Sequence, residues 1–500
     1  MRLVSFIVLL SLLILPALAL AEENWLEIGG DYRFRFDSLK GTVHEFVQYT
    51  GKPNDPNNIV IPNYPQPGAT TTFFAKGQSG YTAKNSSLLT NRFGLNLKAK
   101  ALEDVTVKAR LLMYKVWGHE TETPVQGAYS PEGPKGYFAD RAMGVFDGSL
   151  GHVPQSANLI VDYAYATWSN IADQPVWFSV GRRPSTGGVP TNLRQNVEKT
   201  GSAGVPGFLI DYAFDGMTIG VAPDIEALPG AYAKLCYGKG YDSGYKTDLP
   251  GDNTPKDVNM FGINVVPYDT DNLHVELQWN RAFDIFDNMP DRSVRTNLGN
   301  IDQYGALVMG KVLDNLNLFI AGAISKTDPN TNTLEMPFAN IQPGNTTING
   351  GFGLLYDDCD PMTPGGQCKE SHTGSLIYLG ARYDIPATGT KIGAEYNRGS
   401  KYWVAFAPAG DDIWTSKLGT RGNVYEVYVI QEIKNKPISK RGKAFFRLGY
   451  QYYDFEYTGS NSWIGAPKKI DDLAKSPMNA QIFPPLDKAQ DIYATFEVQF

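Results

Sequence analysis

The 500-residue chain predicts an all-β fold: a membrane-spanning, antiparallel up-and-down barrel of about 16 strands, or 18 if one interrupted segment is two strands. Three observations predict it. First, residues 490–500 alternate strictly. Ile492, Ala494, Phe496, Val498 and Phe500 share one uncharged face, and Asp491, Tyr493, Thr495, Glu497 and Gln499 share the other. That is the length a tilted strand needs to cross a bilayer. Second, the candidate strands are joined alternately by tight turns and by long polar excursions. Spanning barrels have short turns at one end and long loops at the other, whereas a soluble sandwich does not segregate its connections so consistently. Third, residues 1–21 read as an export signal: Arg2, an apolar run from Leu3 to Leu15, and Ala19-Leu20-Ala21 as the cleavage site before Glu22. Residues 22–500 then form one barrel domain.

The strands follow in order. Segment 26–37 places Ile28, Tyr32, Phe34 and Phe36 on one face and Glu27, Asp31, Arg33, Arg35 and Asp37 on the other. A Pro-rich excursion over 38–87 is long for a compact soluble domain. Segment 91–101 turns Arg92, Asn96, Lys98 and Lys100 inward, and after a Glu103-Asp104 turn segment 105–117 turns Lys108, Arg110 and Tyr114 inward. A second loop covers 118–158, and strands are predicted at 159–168 and 176–183. A Gly/Pro-rich loop, 184–206, leads to a predicted strand at 208–214. Segment 217–239 is interrupted by Pro223 and Pro229; it reads as one broken strand, with two strands as the alternative. Further strands are predicted at 259–266, 273–281, 303–313, 316–325, 375–385, 391–398, 424–433, 444–457 and the terminal segment.

Composition agrees. Gly 51, Pro 32, Tyr 28 and Phe 25 suit many turns and aromatic girdles. After the export signal no segment is apolar for the roughly 18 residues of a spanning helix. The net charge of −7 argues against a nucleic-acid partner. Of three cysteines, Cys359 and Cys368 lie close together in a Gly/Pro/Asp-rich stretch, where an exported chain is expected to form a loop disulfide. Cys236 is left to pack as a small apolar residue. No Cys-x-x-Cys-His motif is present, and Cys368 and His372 have the wrong spacing, so no haem and no other cofactor is expected.

Several stretches resemble a family of porin-like outer-membrane proteins of metal- and sulfate-reducing bacteria. They are Glu27 to Arg35 and on to Lys40-Gly41, Asn91 to Lys100, Arg110 to Trp117, Tyr165 to Ile171, and Trp177 to Gly188. The resemblance implies the barrel fold and the outer membrane of a Gram-negative bacterium, and carries no functional residues. The ending also resembles the closing strand of bacterial outer-membrane barrels, whose terminal aromatic belongs to the assembly signal. This implies that role for Phe500, with the barrel-assembly machinery and outer-membrane lipid as partners. A looser similarity, in arginine-rich pore walls, is to polysaccharide-export barrels.

The inward residues suggest chemistry. Arg33, Arg35, Arg92, Lys98, Lys100, Lys108 and Arg110 form a basic wall, and Glu276, Glu395, Glu426, Glu432 and Glu497 an acidic lining on later strands. Walls of charge set ion selectivity in pores, but any wide barrel also needs a solvated polar lining. The 184–206 loop occupies the place of the constriction loop of sixteen-stranded general porins. Arg183 stands where it departs and Arg194 lies within it, so both are constriction candidates if the loop folds inward. Of five histidines, His44, His119, His152 and His372 fall in predicted loops, and His274 has no evident partner in sequence. No Gly-x-Ser-x-Gly elbow or metal-spaced His/Glu helix appears, so no enzyme is expected. The expected function is passive diffusion of small hydrophilic or anionic solutes. The alternatives are a sleeve around a periplasmic multihaem cytochrome and an export barrel.

Overall fold

A computed structural model describes residues 25–118, 154, 157–185, 187–245, 247, 255–287, 296–357, 369–407, 411–439 and 441–500. The export signal, Cys359, Cys368, His119 and His152 lie outside the described residues.

Sixteen strands close an antiparallel barrel. In chain order the first are β1 (Leu26–Val43), then, after four short loop strands β2 (Phe46–Tyr49), β3 (Ile59–Pro62), β4 (Thr70–Phe73) and β5 (Ala75–Gln78), β6 (Tyr81–Leu102) and β7 (Val105–Val116). The wall continues through β8 (Ile160–Trp168), β9 (Val176–Arg182), β10 (Asp215–Val221), β11 (Tyr232–Tyr241), β12 (Val258–Asp269), β13 (Leu273–Phe286), β14 (Asn297–Leu313) and β15 (Leu316–Pro329). Two more loop strands, β16 (Leu334–Gln342) and β17 (Thr346–Phe352), precede β18 (Thr373–Ile385), β19 (Thr390–Gly399), β20 (Gly422–Glu432), β21 (Lys443–Phe455) and β22 (Leu486–Gln499). Each wall strand pairs with its sequence neighbours, and β1 closes the ring on β22, with Arg33 opposite Glu497 and Phe34 opposite Phe496. Closure matters because an unpaired edge would leave a row of backbone donors and acceptors unsatisfied.

Two elements differ from the sequence reading. Residues 208–214 are not a wall strand. They lie inside the barrel, with Phe208 and Leu209 fully buried and single bridges from Ile210 to Phe406 and from Tyr212 to Ser185. The run Phe208-Leu209-Ile210 is apolar on successive residues rather than alternate ones, which suits a segment enclosed on all sides. The interrupted segment 217–239 is two strands, β10 and β11, and Pro223 and Pro229 fall in the turn between them. The two differences cancel, so sixteen strands remain. The excursion after β1 is also more ordered than its proline content suggests. β2 pairs with β5, and β3 and β4 join β16 and β17 in a four-stranded sheet.

Short connections gather at one end of the barrel, here the turn end, and long ones at the other, the loop end. The outer face is apolar and exposed: Ile28, Val180, Ile219, Leu235, Leu277, Ile320, Val427, Leu448 and Ile492 all point away from the wall. A continuous apolar surface of this extent marks contact with something other than water.

The chain end is tied to its start. The Phe500 N–H donates to the Gly30 carbonyl at 2.9 Å, and the Gly30 N–H donates to the Phe500 carbonyl at 2.8 Å. A Cβ on Gly30 would lie 2.6 Å from the Phe500 ring, so glycine makes room for the aromatic. Deleting Phe500 removes this last pair at the seam. The heat-modifiable, folded fraction in membranes is expected to fall, and a normal folded fraction for the truncated chain would rule that role out.

Candidate functional site

The candidate site is the barrel interior, which the protein's own loops largely fill. The third loop, residues 183–214, leaves the wall after β9 at the loop end and descends to the turn end. A short helix, α1 (Thr191–Gln195), ends at Asn196 in the left-handed conformation (φ 55°), a position asparagine tolerates. Its terminal carbonyls meet cations from the wall. Arg382 donates to the Leu193 carbonyl at 2.7 Å, Arg447 to the Arg194 carbonyl at 2.8 Å, and Lys443 to the Asn196 carbonyl at 2.9 Å. Cations are favourable there because the last carbonyls of a helix carry its negative pole. The Asn196 amide donates to Glu432 at 3.0 Å and accepts from Lys391 at 2.7 Å. Beyond it, Lys199 pairs with Asp269 at the turn end of β12.

Arg194 is the central strut. It is 3% exposed and lies 2.7 Å from Asp412 and 3.2 Å from Glu426. Asp412 belongs to the seventh loop, residues 400–421, which also folds inward. Lys417 of the same loop pairs with Glu395 and Glu426, and its backbone N–H donates to Asp412 at 2.9 Å. Asp411 accepts from both terminal guanidinium nitrogens of Arg33 at 2.5 Å. Burial alone would raise the Asp411 carboxyl, but Arg33, Arg92 and Arg35 around it hold it well below the usual carboxylate range. A depressed carboxyl contributes stability that is present above its unfolded value and is lost only as pH falls through the folded one. This anchor therefore persists into acid.

An apolar cluster makes up the other half of the plug. Phe208 and Leu209 of the third loop, Trp403 and Phe406 of the seventh and Trp463 of the eighth (residues 456–485) share one buried cluster with inward wall residues such as Met260, Leu307 and Phe319. Gly305 on β14 gives the third loop its seat, since a Cβ there would fall 2.6 Å from Leu209 Cδ1.

The charged residues singled out from the sequence divide into paired and unpaired. Arg35 pairs with Asp37 at 2.6 Å and Asp491 at 3.0 Å, and Glu497 with Arg447 at 2.8 Å. Arg110 is held by Asp31 at 2.6 Å and Asp162 at 3.2 Å, and Lys98 by Glu27 at 3.0 Å. Arg92 lies 3.7 Å from Asp31, and Lys100 is exposed at the turn-end rim. Glu395, Glu426 and Glu432 are bound by cations. On this side of the barrel the opposite charges neutralise one another instead of facing each other across open water. Arg183 differs from Arg194. Its guanidinium meets the Ser179 hydroxyl and the Tyr165 ring, 5.2 Å to the centroid, and no carboxylate among the described residues lies within ion-pair distance. Lys108, opposite Tyr165 across the β7–β8 pair, likewise has no such carboxylate within ion-pair distance, and feels the charges of Lys98, Arg441, Glu27 and Arg183.

Sequence reading missed Asp411, Asp412 and Lys417, loop residues whose partners lie elsewhere in the chain. It also missed the setting of His274, whose Nδ1 lies 3.0 Å from Asp269 and whose Nε2 lies 3.3 Å from Glu276. Both partners are within five residues, and Glu276 shares the strand face of His274, so alternation alone could have paired them.

Fold and interior together define a closed sixteen-stranded barrel plugged by its own loops. The chain belongs to the family described as a protein of unknown function (DUF3373), whose model matches residues 82–500. No curated protein matches it. Among solved structures it is similar to outer-membrane expressed OmpT of Vibrio cholerae, at 10% identity over 96% of this chain and 99% of that one, with a TM-score of 0.39. It is also similar to OprB of Pseudomonas putida at high pH, at 10% identity over 95% and 94%, with a TM-score of 0.42.

Proposed function

We propose that the chain is a porin-like channel of the outer membrane that passes small hydrophilic solutes passively and favours anions. The observation that carries this reading is the unneutralised arc left inside the barrel. Arg183 and Lys108 face the interior with no carboxylate within ion-pair distance among the described residues, beside the third loop that narrows it. Such groups raise the local concentration of anions and oppose cations. The apolar outer face supports a lipid setting, since a barrel in lipid buries its polar groups inward and its aliphatic ones outward. The sleeve alternative requires an interior wide enough for a second protein, and here Trp403, Phe406 and Trp463 are packed in that space. We read the chain as a channel and not as an enzyme.

The test is to reconstitute the purified protein in a planar bilayer under a salt gradient. Small, stable conductance steps with a reversal potential on the anion side are expected. A barrel that inserts but carries no current, and that co-purifies with haem absorbance, would favour the sleeve.

A further inference from the structure

A partly open recess, with about 40 Å³ of room for the centres of water-sized spheres, lies between the third loop and the inner faces of β10 to β13. It exists because the wall is built of small residues there. Thr218 pairs laterally with Cys236, and Cys236 with Gly262, so three neighbouring strands present little side-chain volume. Val205 and Phe214 of the third loop close it from the barrel axis.

Two cations line this recess. Arg183 is 8% exposed and Lys234 is 2% exposed. Lys234 donates to the Ser202 carbonyl at 2.8 Å and to the Gly204 carbonyl. No carboxylate among the described residues forms an ion pair with either, whereas Arg33, Arg35, Arg194 and Lys417 in the same interior all have one. Lys234 feels the Glu276 carboxylate only beyond ion-pair distance; a shielded cation without a close counter-charge is costly, and a bound anion relieves that cost. The opposite side of the recess is lined by Gln278 and Asn280, 5% and 1% exposed. Their side-chain carbonyl oxygens are buried and accept no hydrogen bond. Unsatisfied acceptors call for donors.

We propose that this recess binds a small organic anion that also carries hydroxyl groups, a hydroxycarboxylate. Its carboxylate sits between Arg183 and Lys234, and its hydroxyls donate to Gln278 and Asn280. Charge-assisted bonds to the two cations supply affinity. The acceptors supply selection, because a ligand without hydroxyls leaves them unsatisfied. The proposal rests on the channel reading only for the route by which the anion arrives.

Binding is therefore measured in detergent micelles, where conduction plays no part, by titration calorimetry with tartrate and with succinate. Saturable tartrate binding is expected, with succinate weaker by at least roughly tenfold. Lys234→Met should weaken tartrate by a similar factor, and Gln278→Leu should remove most of the difference between the two ligands. Thr218→Leu fills the recess without touching a charge and should abolish binding of both, so it serves if Lys234→Met does not fold. No saturable heat with tartrate, or tartrate binding unchanged in Thr218→Leu, would overturn the site. Equal affinity for succinate would overturn the hydroxyl requirement. Binding that is present in a protein without conductance would leave this site standing and remove the channel.

Discussion

Arg194→Met is expected to open the pore and raise its single-channel conductance severalfold. Arg194 is 3% exposed and neutralises Asp412 and Glu426 at 2.7 and 3.2 Å. Removing the cation leaves buried carboxylates undercompensated, a change that costs about 3–5 kcal/mol when one partner of a buried pair is lost. Sixteen laterally bonded strands hold the wall, so that cost falls on the docking of the third loop. A loop that undocks uncovers the cross-section it now fills. Larger and noisier current steps in bilayer recordings, with unchanged heat-modifiability on gels, are the expected signature. Arg194→Lys keeps the charge but not the forked geometry and should fall between the two. Wild-type conductance in a folded Arg194→Met protein would mean that this strut does not set the constriction.

Arg183→Glu is expected to move the reversal potential from the anion side to the cation side. Arg183 has no carboxylate partner among the described residues, and Ser179 and Tyr165 hold its guanidinium without neutralising its charge. The substitution changes the local charge by about two units, and at a buried position that charge is screened less than at a surface where salt screens beyond roughly 8–10 Å. Arg183→Gln should give about half the shift. Lys98→Glu is the comparison: Lys98 already faces Glu27 at 3.0 Å, and its side chain is 40% exposed near the rim, so a smaller shift is expected there. Equal effects at the two positions would show that selectivity follows total charge and not the unpaired arginine.

The barrel was legible in the sequence because its physics is local. Alternation in β1 and β22 separates Arg33 and Arg35 from Phe34 and Phe36 with period two, and a strand places those sets on opposite faces whatever its neighbours are. The inward course of the third loop was legible from its position and from Arg183, the next inward residue after Ser179 and Gly181. The contents of the lumen were not. Arg33 meets Asp411 across 378 residues, and Arg194 meets Glu426 across 232. No periodicity links such pairs. The run at 208–214 differs for a related reason: its successive apolar residues, Phe208-Leu209-Ile210, lack the alternation of a wall strand, and what encloses them comes from loops distant in sequence. Alternation could read the charged residues only as faces, and their mutual neutralisation through the loops could not be inferred.

A plugged interior requires the third loop to reach the far end of the barrel, and zero-length crosslinking tests that most directly. Lys199 lies in the loop, and Asp269 ends β12 at the turn end. The loop leaves the wall at the opposite end, roughly 35 Å away along a strand of this length. A carbodiimide joins a lysine to a carboxylate only when they touch. Treatment of the folded protein in micelles should yield a peptide with an amide bond between Lys199 and Asp269, and Arg194→Met should lose it. A loop lying over the barrel mouth would give no such peptide, and Lys199 crosslinked only to carboxylates of the loop end would contradict the plugged interior.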